Sequence, residues 1–349
     1  MTALTTLTVP ARPEEDASLR PLPWRRMAWV TWRQHRVALA GVVLLLGALA
    51  VYLLITGQQI HHAYAAVTAC RPASSIACGN AIGDFTNTYW PRAEATAAML
   101  QAVPALIGVF AGAPVLAREF ETGTFRYAWS QGFGRWRWAA AKLVPLAVAV
   151  AAAAGAFSVL FSWYFGPFLA GGQQTSFAPT VFDLRGVAFA AWTLAAFAIG
   201  ALAGVLIRRV VPALAAALAV YAGLALTASV YLREHYLAPL VTANPKNLPG
   251  SAWVLSQRYT GKNGKPVSQS TINQVLQQYH PKAIKIGPHS FQTFLDPVGF
   301  LAQHGYKNWT SYQPGSRFWP FQFIEGGWLL ALSLLLVGAT LWLVHRRAA

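Results

Sequence analysis

Six long runs of apolar residues punctuate the chain, at Val37 to Ile55, Ala95 to Ala117, Ala139 to Phe165, Gly186 to Ile207, Val210 to Leu232 and Gly326 to Val344. A bilayer's hydrocarbon core is about 30 Å thick and takes roughly 20 apolar residues per helix. Each run is long enough to cross it, which predicts an all-α polytopic membrane protein with six transmembrane helices. Arg208 and Arg209 alone separate the fourth and fifth runs. At the centre of one long buried helix each arginine would cost about 2.5 to 3.5 kcal/mol, so the pair marks a tight turn at the membrane surface.

The polar stretches between the runs predict the remaining organisation. Residues 1–23, rich in Pro, Thr and acidic side chains, read as a disordered cytoplasmic tail and lack the basic start and apolar core of a signal peptide. Residues 24–36 place Trp24, Ala28 and Trp32 at i, i+4 and i+8 with arginines between. That spacing fits an interfacial amphipathic helix or, more simply, a basic flank of the first span. Residues 37–232 hold spans one to five, with a polar segment at 118–138. Residues 233–325 form a folded external loop, in which Ser270 or Thr271 caps a short helix carrying Ile272, Val275, Leu276 and Tyr279 on one side. Its aromatic end, 316–325, is interrupted by Pro320 and is expected to sit at headgroup level or to re-enter the membrane. Residues 326–349 are the sixth span and a cytoplasmic tail.

Composition sharpens this picture. Only 11% of residues are charged, against about 25% in soluble domains. The 27 Lys and Arg exceed the 11 Asp and Glu to give a formal charge of +16. Because the arginines flank apolar runs, that charge suits topology and anionic lipid headgroups, and nucleic acid is not an expected partner. Arg25, Arg26, Arg33, Arg36, Arg118, Arg126, Arg135, Arg137, Arg208, Arg209, Arg346 and Arg347 all fall on one side of the six-span arrangement. The positive-inside rule makes that side cytoplasmic, with both termini there, in a multi-pass protein of the cell membrane. The loop at 233–325 carries nine basic residues, but loops beyond about 60 residues do not steer topology.

The predicted spans contain essentially no carboxylate or histidine of the kind proton- or sodium-driven transporters use at the midplane. Lys142, one turn into the third span, is placed to snorkel to the cytoplasm. No catalytic motif, metal-ligand spacing or cofactor motif occurs, so no catalytic, metal or cofactor-binding residue is assigned. Cys70 and Cys78 could form a small disulfide loop or remain two free thiols. Asn308-Trp309-Thr310 matches a glycosylation triplet, a pattern common by chance.

The segment REFETGTFRYAWSQGFGRWRW, residues 118–138, is too polar for the bilayer and too short for a domain. Arg118, Glu119, Glu121 and Gly123 would end the second helix. FRYAWSQ, with Phe125, Arg126, Tyr127 and Trp129, would lie along the membrane surface, and Trp136 and Trp138 would anchor the third span. A hairpin loop with aromatic anchors is the plainer reading. The order E-T-G-T followed by R-W-x-x-A-x-K-L, here Glu121, Gly123, Thr124, Arg135, Trp138, Lys142 and Leu143, resembles the loop between the second and third helices of ATP-binding-cassette (ABC) permeases of the type-2 family, the type V exporter fold. Many members carry a proline where this chain has Gln131-Gly132. The strings REFETGTFRYAWSQG and YQPGSRFWPFQFIE look like an actinobacterial branch of that family.

That resemblance implies an exporter permease that forms the substrate path and couples to a separate ABC ATPase subunit. ATP and Mg would be bound by that partner, with no cofactor on this chain. It implies a second permease copy, in a homodimer or heterodimer. The coupling surface would comprise Arg118, Glu119, Glu121, Gly123, Thr124, Phe125, Arg126, Tyr127, Trp129 and Arg135. Substrate would pass along the second and fifth helices, with Phe318, Trp319, Pro320, Phe321 and Phe323 as an outer gate. Two rivals compete with it: an ABC membrane subunit that senses envelope stress or antibiotics without bulk flux, and a membrane-embedded envelope enzyme using Asp296 or Glu325 as base.

Overall fold

The computed structural model describes residues 24–71, 75–125, 134–170, 175–243, 245, 248–279, 282–287, 290–294 and 297–347, and their side chains other than those of 24–39, 282–294 and 347. Six helical stretches within it are long and apolar enough to cross a membrane.

The first, α1 (Trp24–Thr68), is one unbroken helix of 45 residues. At 1.5 Å per residue it is about 67 Å long, twice the hydrocarbon thickness. Residues 24–36 are thus continuous with the first span, and the helix runs past Ile55 to Thr68. No Gly, Pro or capping residue interrupts the chain near Arg36, and beyond Ile55 the spacing of Ile60, Ala63, Tyr64 and Val67 still gives the helix an apolar face packed in the core.

The second stretch also starts earlier than Ala95. Ser75 Oγ accepts the Cys78 N–H at 3.2 Å and caps α2 (Ile76–Leu100). It continues through α3 (Val103–Ile107), a π-helical turn at Gly108–Gly112 and α4 (Ala113–Thr122). Pro104 and Pro114 sit in the first turns of α3 and α4, where a missing N–H costs little. Phe85 of α2 packs against Tyr64, Tyr89 and Phe168 with ring centroids 5.4 to 5.7 Å apart. Cys70 and Cys78 are joined by a disulfide across the α1–α2 turn.

The remaining spans are α5 (Arg135–Ala170), α7 (Ala188–Ile207) and α8 (Val210–Thr227), with the short α6 (Pro179–Phe182) preceding α7. A π-helical turn, Ala228–Leu232, and a 3-10 turn, Arg233–His235, prolong α8. Helix α7 is central, and glycine lets the second stretch approach it closely. A Cβ on Gly200 would lie 2.3 Å from the Gly108 carbonyl oxygen, and one on Gly204 would lie 2.5 Å from that of Ala113. Between α7 and α8 the chain turns at Arg208, whose φ of 58° is left-handed and which donates its N–H to Gly204 O at 3.1 Å.

Residues 240–313 add a small α/β layer at the opposite end from Arg208. A four-stranded antiparallel sheet has the order β1 (Leu240–Thr242), β6 (Lys307–Gln313), β2 (Trp253–Thr260), β3 (Pro266–Val267). Helices α9 (Gln269–Gln277) and α10 (Pro297–Gln303) and a hairpin of β4 (Lys282–Gly287) and β5 (Ser290–Phe294) complete it. The cap of α9 is Ser268, whose Oγ accepts the Thr271 N–H at 3.3 Å, in place of the expected Ser270 or Thr271. Asn308, the first residue of the glycosylation triplet, is buried in β6.

The last helix, α11 (Phe318–Arg347), follows a 3-10 turn at Gly315–Arg317 without a break. The segment expected at 316–325 to re-enter or lie at headgroup level is thus continuous with the helix of the sixth span. Pro320 falls in the first helical turn, where its absent N–H has no intrahelical acceptor to lose.

Candidate functional site

Two groups of polar residues stand at opposite ends of the bundle. At the Arg208 end, α4 ends at Gly123, whose φ of 72° is the left-handed conformation that stops a helix. Thr122 Oγ1 bonds the Arg118 carbonyl at 2.8 Å and lies 3.1 Å from Thr124 Oγ1. This fixes the ETGT turn in one shape.

Glu119 and Glu121 then point to different neighbours. Glu119 pairs with Lys142 of α5, and the ammonium also sits 4.7 Å from the Trp138 ring centroid. Lys142 is buried, so it does not snorkel; the Glu119 carboxylate satisfies it in place of water. Glu121 Oε2 accepts the backbone N–H of Val210, the first residue of α8, at 3.0 Å. Arg209, at the N-cap of α8, supplies no side-chain cap of its own. Next door, the Arg208 guanidinium lies 5.8 Å from the Phe120 ring, and Phe120 packs on Phe125 at 5.1 Å.

The expected coupling residues thus divide. Glu119, Glu121, Gly123, Thr124 and Phe125 converge on the junction of α4, α5 and α8. Arg118 is exposed, and Arg135 is half-buried at the start of α5. Arg126, Tyr127 and Trp129 lie outside the described residues.

At the other end the expected gate residues also separate. Phe318 and Phe321 are buried among Phe177, Phe182 and Trp253, whereas Trp319 and Phe323 are exposed and stack on each other at 5.9 Å. Pro320 is exposed between them.

Just inside this aromatic layer is a charge cluster that sequence reasoning missed. Arg233 is 1% exposed and Glu325 fully buried. Arg233 Nε donates to Glu325 Oε2 at 3.1 Å and Nη2 to Oε1 at 2.8 Å. Trp192 Nε1 donates to Oε1 at 2.8 Å, and the Tyr236 hydroxyl donates to Oε2 at 3.2 Å. Glu325 is fully occupied as an acceptor, so it is a buried ion-pair partner and not the free base that an envelope enzyme would need. Asp296, the other carboxylate of that rival reading, lies outside the described residues.

Arg233 Nη2 is shared with Asp183, which stands between α6 and α7. The guanidinium carbon lies 4.2 Å from the Phe182 ring centroid, and Nη1 makes no hydrogen bond. Burial pushes the Asp183 carboxyl up to about 7; Arg233 opposes the shift and the Glu325 charge adds to it. Burial and the same carboxylate raise Tyr236 as well. Arg185, stacked 4.8 Å from the Phe318 ring, is lowered by burial to about 10. Beside the cluster, Gln322 Oε1 accepts the Ala188 N–H at 2.9 Å and its Nε2 donates to Phe182 O at 3.0 Å. The start of α11 is thereby tied to the start of α7.

Glu119 and Glu325 lie just outside the apolar runs read from the sequence, but the helices extend past those runs and include both. The available signal for the cluster was position: Glu325 immediately precedes the sixth apolar run and Arg233 immediately follows the fifth. Residues 43–233 match the family described as "ABC-2 membrane transporter related". No curated protein and no solved structure matches the chain.

Proposed function

The chain belongs to the ABC-2 membrane transporter related family, which matches more than half of its length, and from that premise we propose that it is an exporter permease driven by a separate ATPase subunit. It is a multi-pass membrane subunit of an ABC-type system. The observation that carries the finer reading is the double connection of the ETGT turn: Glu119 reaches α5 and Glu121 reaches α8. A partner pressing on residues 118–138 moves two spans through those contacts.

In this reading the Arg208 end and both chain termini face the cytoplasm, and the sheet-bearing end faces outward from the cell membrane. The disulfide of Cys70 and Cys78 supports that orientation, since such bonds persist on the oxidising side. ATP and Mg are bound by the ATPase subunit. A second permease copy faces α8, whose only buried side chains are Ala213 and Ala217 and whose flank exposes Val211, Leu218, Val220 and Leu226. Export combines small differences in contact across this pairing with nucleotide-driven closure of the ATPases.

The test is co-expression with each ABC ATPase encoded in the same genome, purification through a tag on the permease, and reconstitution of the complex in vesicles. ATP-dependent uptake into inside-out vesicles, with the ATPase retained on the permease, is the expected result. Failure of every ATPase to co-purify sinks the proposal. Solute movement by the chain alone down a pH or sodium gradient does so too.

A further inference from the structure

One carboxylate in the charge cluster is left over. Among the described residues Arg233 is the one cation paired with both acids, and Glu325 takes both its Nε and Nη2 together with the Trp192 and Tyr236 donors. Asp183 has one shared hydrogen bond, from Nη2 to Oδ1. Asp183 also lines a cavity of about 130 Å³, whose other walls include Gln101 at the α2–α3 junction, Phe189 and Trp192 of α7, and Tyr221 of α8. The cavity is lined by one carboxylate and by the half-buried ring of Tyr221, with Phe189 and Trp192 packed behind.

Those rings are held in place. Trp192 is fixed by its bond to Glu325, and it meets Tyr221 edge to face with centroids 5.7 Å apart and an interplanar angle of 82°. Gln101 is held by the Pro179 and Thr180 carbonyls at 3.2 and 3.1 Å. A half-buried carboxylate that shares its cation with a second acid leaves the pair one negative charge in excess, and aromatic faces attract positive charge, most strongly where water is excluded. The volume suits a small organic cation; filled with water instead, it would hold about four molecules.

We propose that this cavity binds the cationic amine group of the transported molecule, with Asp183 as counter-ion and Tyr221, backed by Trp192 and Phe189, as its aromatic wall. The proposal rests on the permease reading for the word "transported", while the binding itself does not. Below pH about 7 the proton on Asp183 competes with the ligand. The charged and titratable groups facing that carboxylate are Arg233 after α8, Glu325 of α11 and Tyr221 of α8.

The experiment is calorimetric titration of the purified full-length chain in detergent, without any ATPase, using tetramethylammonium as probe and tert-butanol as a neutral molecule of similar bulk. Tetramethylammonium is expected to bind at pH 8 and more weakly at pH 6, and tert-butanol not at all. Asp183→Asn should weaken tetramethylammonium binding by about tenfold or more, and Tyr221→Leu severalfold. The Tyr221 variant guards against misfolding of the Asp183 variant, because it leaves the ion pairs intact. No binding to the native chain, equal binding of tert-butanol, or unchanged affinity in both variants overturns the proposal. If the probe binds but no ATPase couples, the exporter reading falls and the cavity assignment stands.

Discussion

Glu121 Oε2 accepts the backbone N–H of Val210 at 3.0 Å, so a carboxylate from the end of α4 caps the helix that begins after Arg209. The negative charge also lies at the positive end of the α8 dipole. Losing a cap costs about 1 kcal/mol. Glu121→Ala should lower the thermal midpoint by about 2 °C and cut transport more strongly than it cuts ATPase binding, with Glu121→Gln intermediate. Pull-down and transport measured on the same preparation check this.

The close contact of Gly200 with Gly108 predicts a steric effect. A methyl at Gly200 meets a carbonyl oxygen at 2.3 Å, and backbone must move to admit it. Gly200→Ala should destabilise by about 1 to 3 kcal/mol. Gly155, with nothing within 4 Å of its Cβ position, should accept alanine with little change. Thermal unfolding of the two variants in detergent compares them directly.

Arg233 holds two acids in a buried setting, so removing it leaves both uncompensated. Arg233→Met should cost about 3 to 5 kcal/mol, and adding Glu325→Leu should recover part of the loss. A double-mutant cycle on unfolding midpoints measures the coupling.

Asp183 sets the sign of a pH effect. Its carboxyl is raised from 3.8 to about 7 in the folded chain. Between those values the folded form holds a proton that the unfolded form has released, so stability falls as pH rises through this window and is fully diminished above about 7. The native midpoint should fall from pH 5 to pH 8 relative to that of Asp183→Asn, in which other ionisations cancel.

The Cys70–Cys78 bond closes a loop over a separation of eight residues. In the chain-entropy account such a loop is worth about 2.5 kcal/mol. Cys70→Ser with Cys78→Ser should unfold at lower temperature. In intact cells, a membrane-impermeant maleimide should label the native chain only after treatment with an impermeant reductant.

Much of this architecture was legible in the sequence because bilayer crossing imposes one requirement on every span, and it shows as length and apolarity. The Arg208–Arg209 turn was legible for the same reason, through the cost of burying two cations. Helix ends were less so: Ile60, Tyr64 and Phe85 lie beyond the bilayer's needs and are helical because they pack on α5. The Asp183–Arg233–Glu325 cluster was hidden, since its members are 50 and 92 positions apart and each alone resembles a boundary charge. Glu121 stood out as part of a motif, yet its partner is a backbone N–H, which carries no residue signature. The sheet at residues 240–313 was obscured by its short, polar strands.

Helix α8 is fastened at both extremities, by Glu121 at Val210 and by the carboxylates that grip Arg233. A rod held at each tip resists sliding along its own axis more than one held at a single tip does. The π-helical turn at Ala228–Leu232 lies just inside the Arg233 fastening and Pro212 just inside the Glu121 one. A push delivered to the ETGT turn would then enter α8 at its Val210 tip and meet resistance at the Arg233 tip.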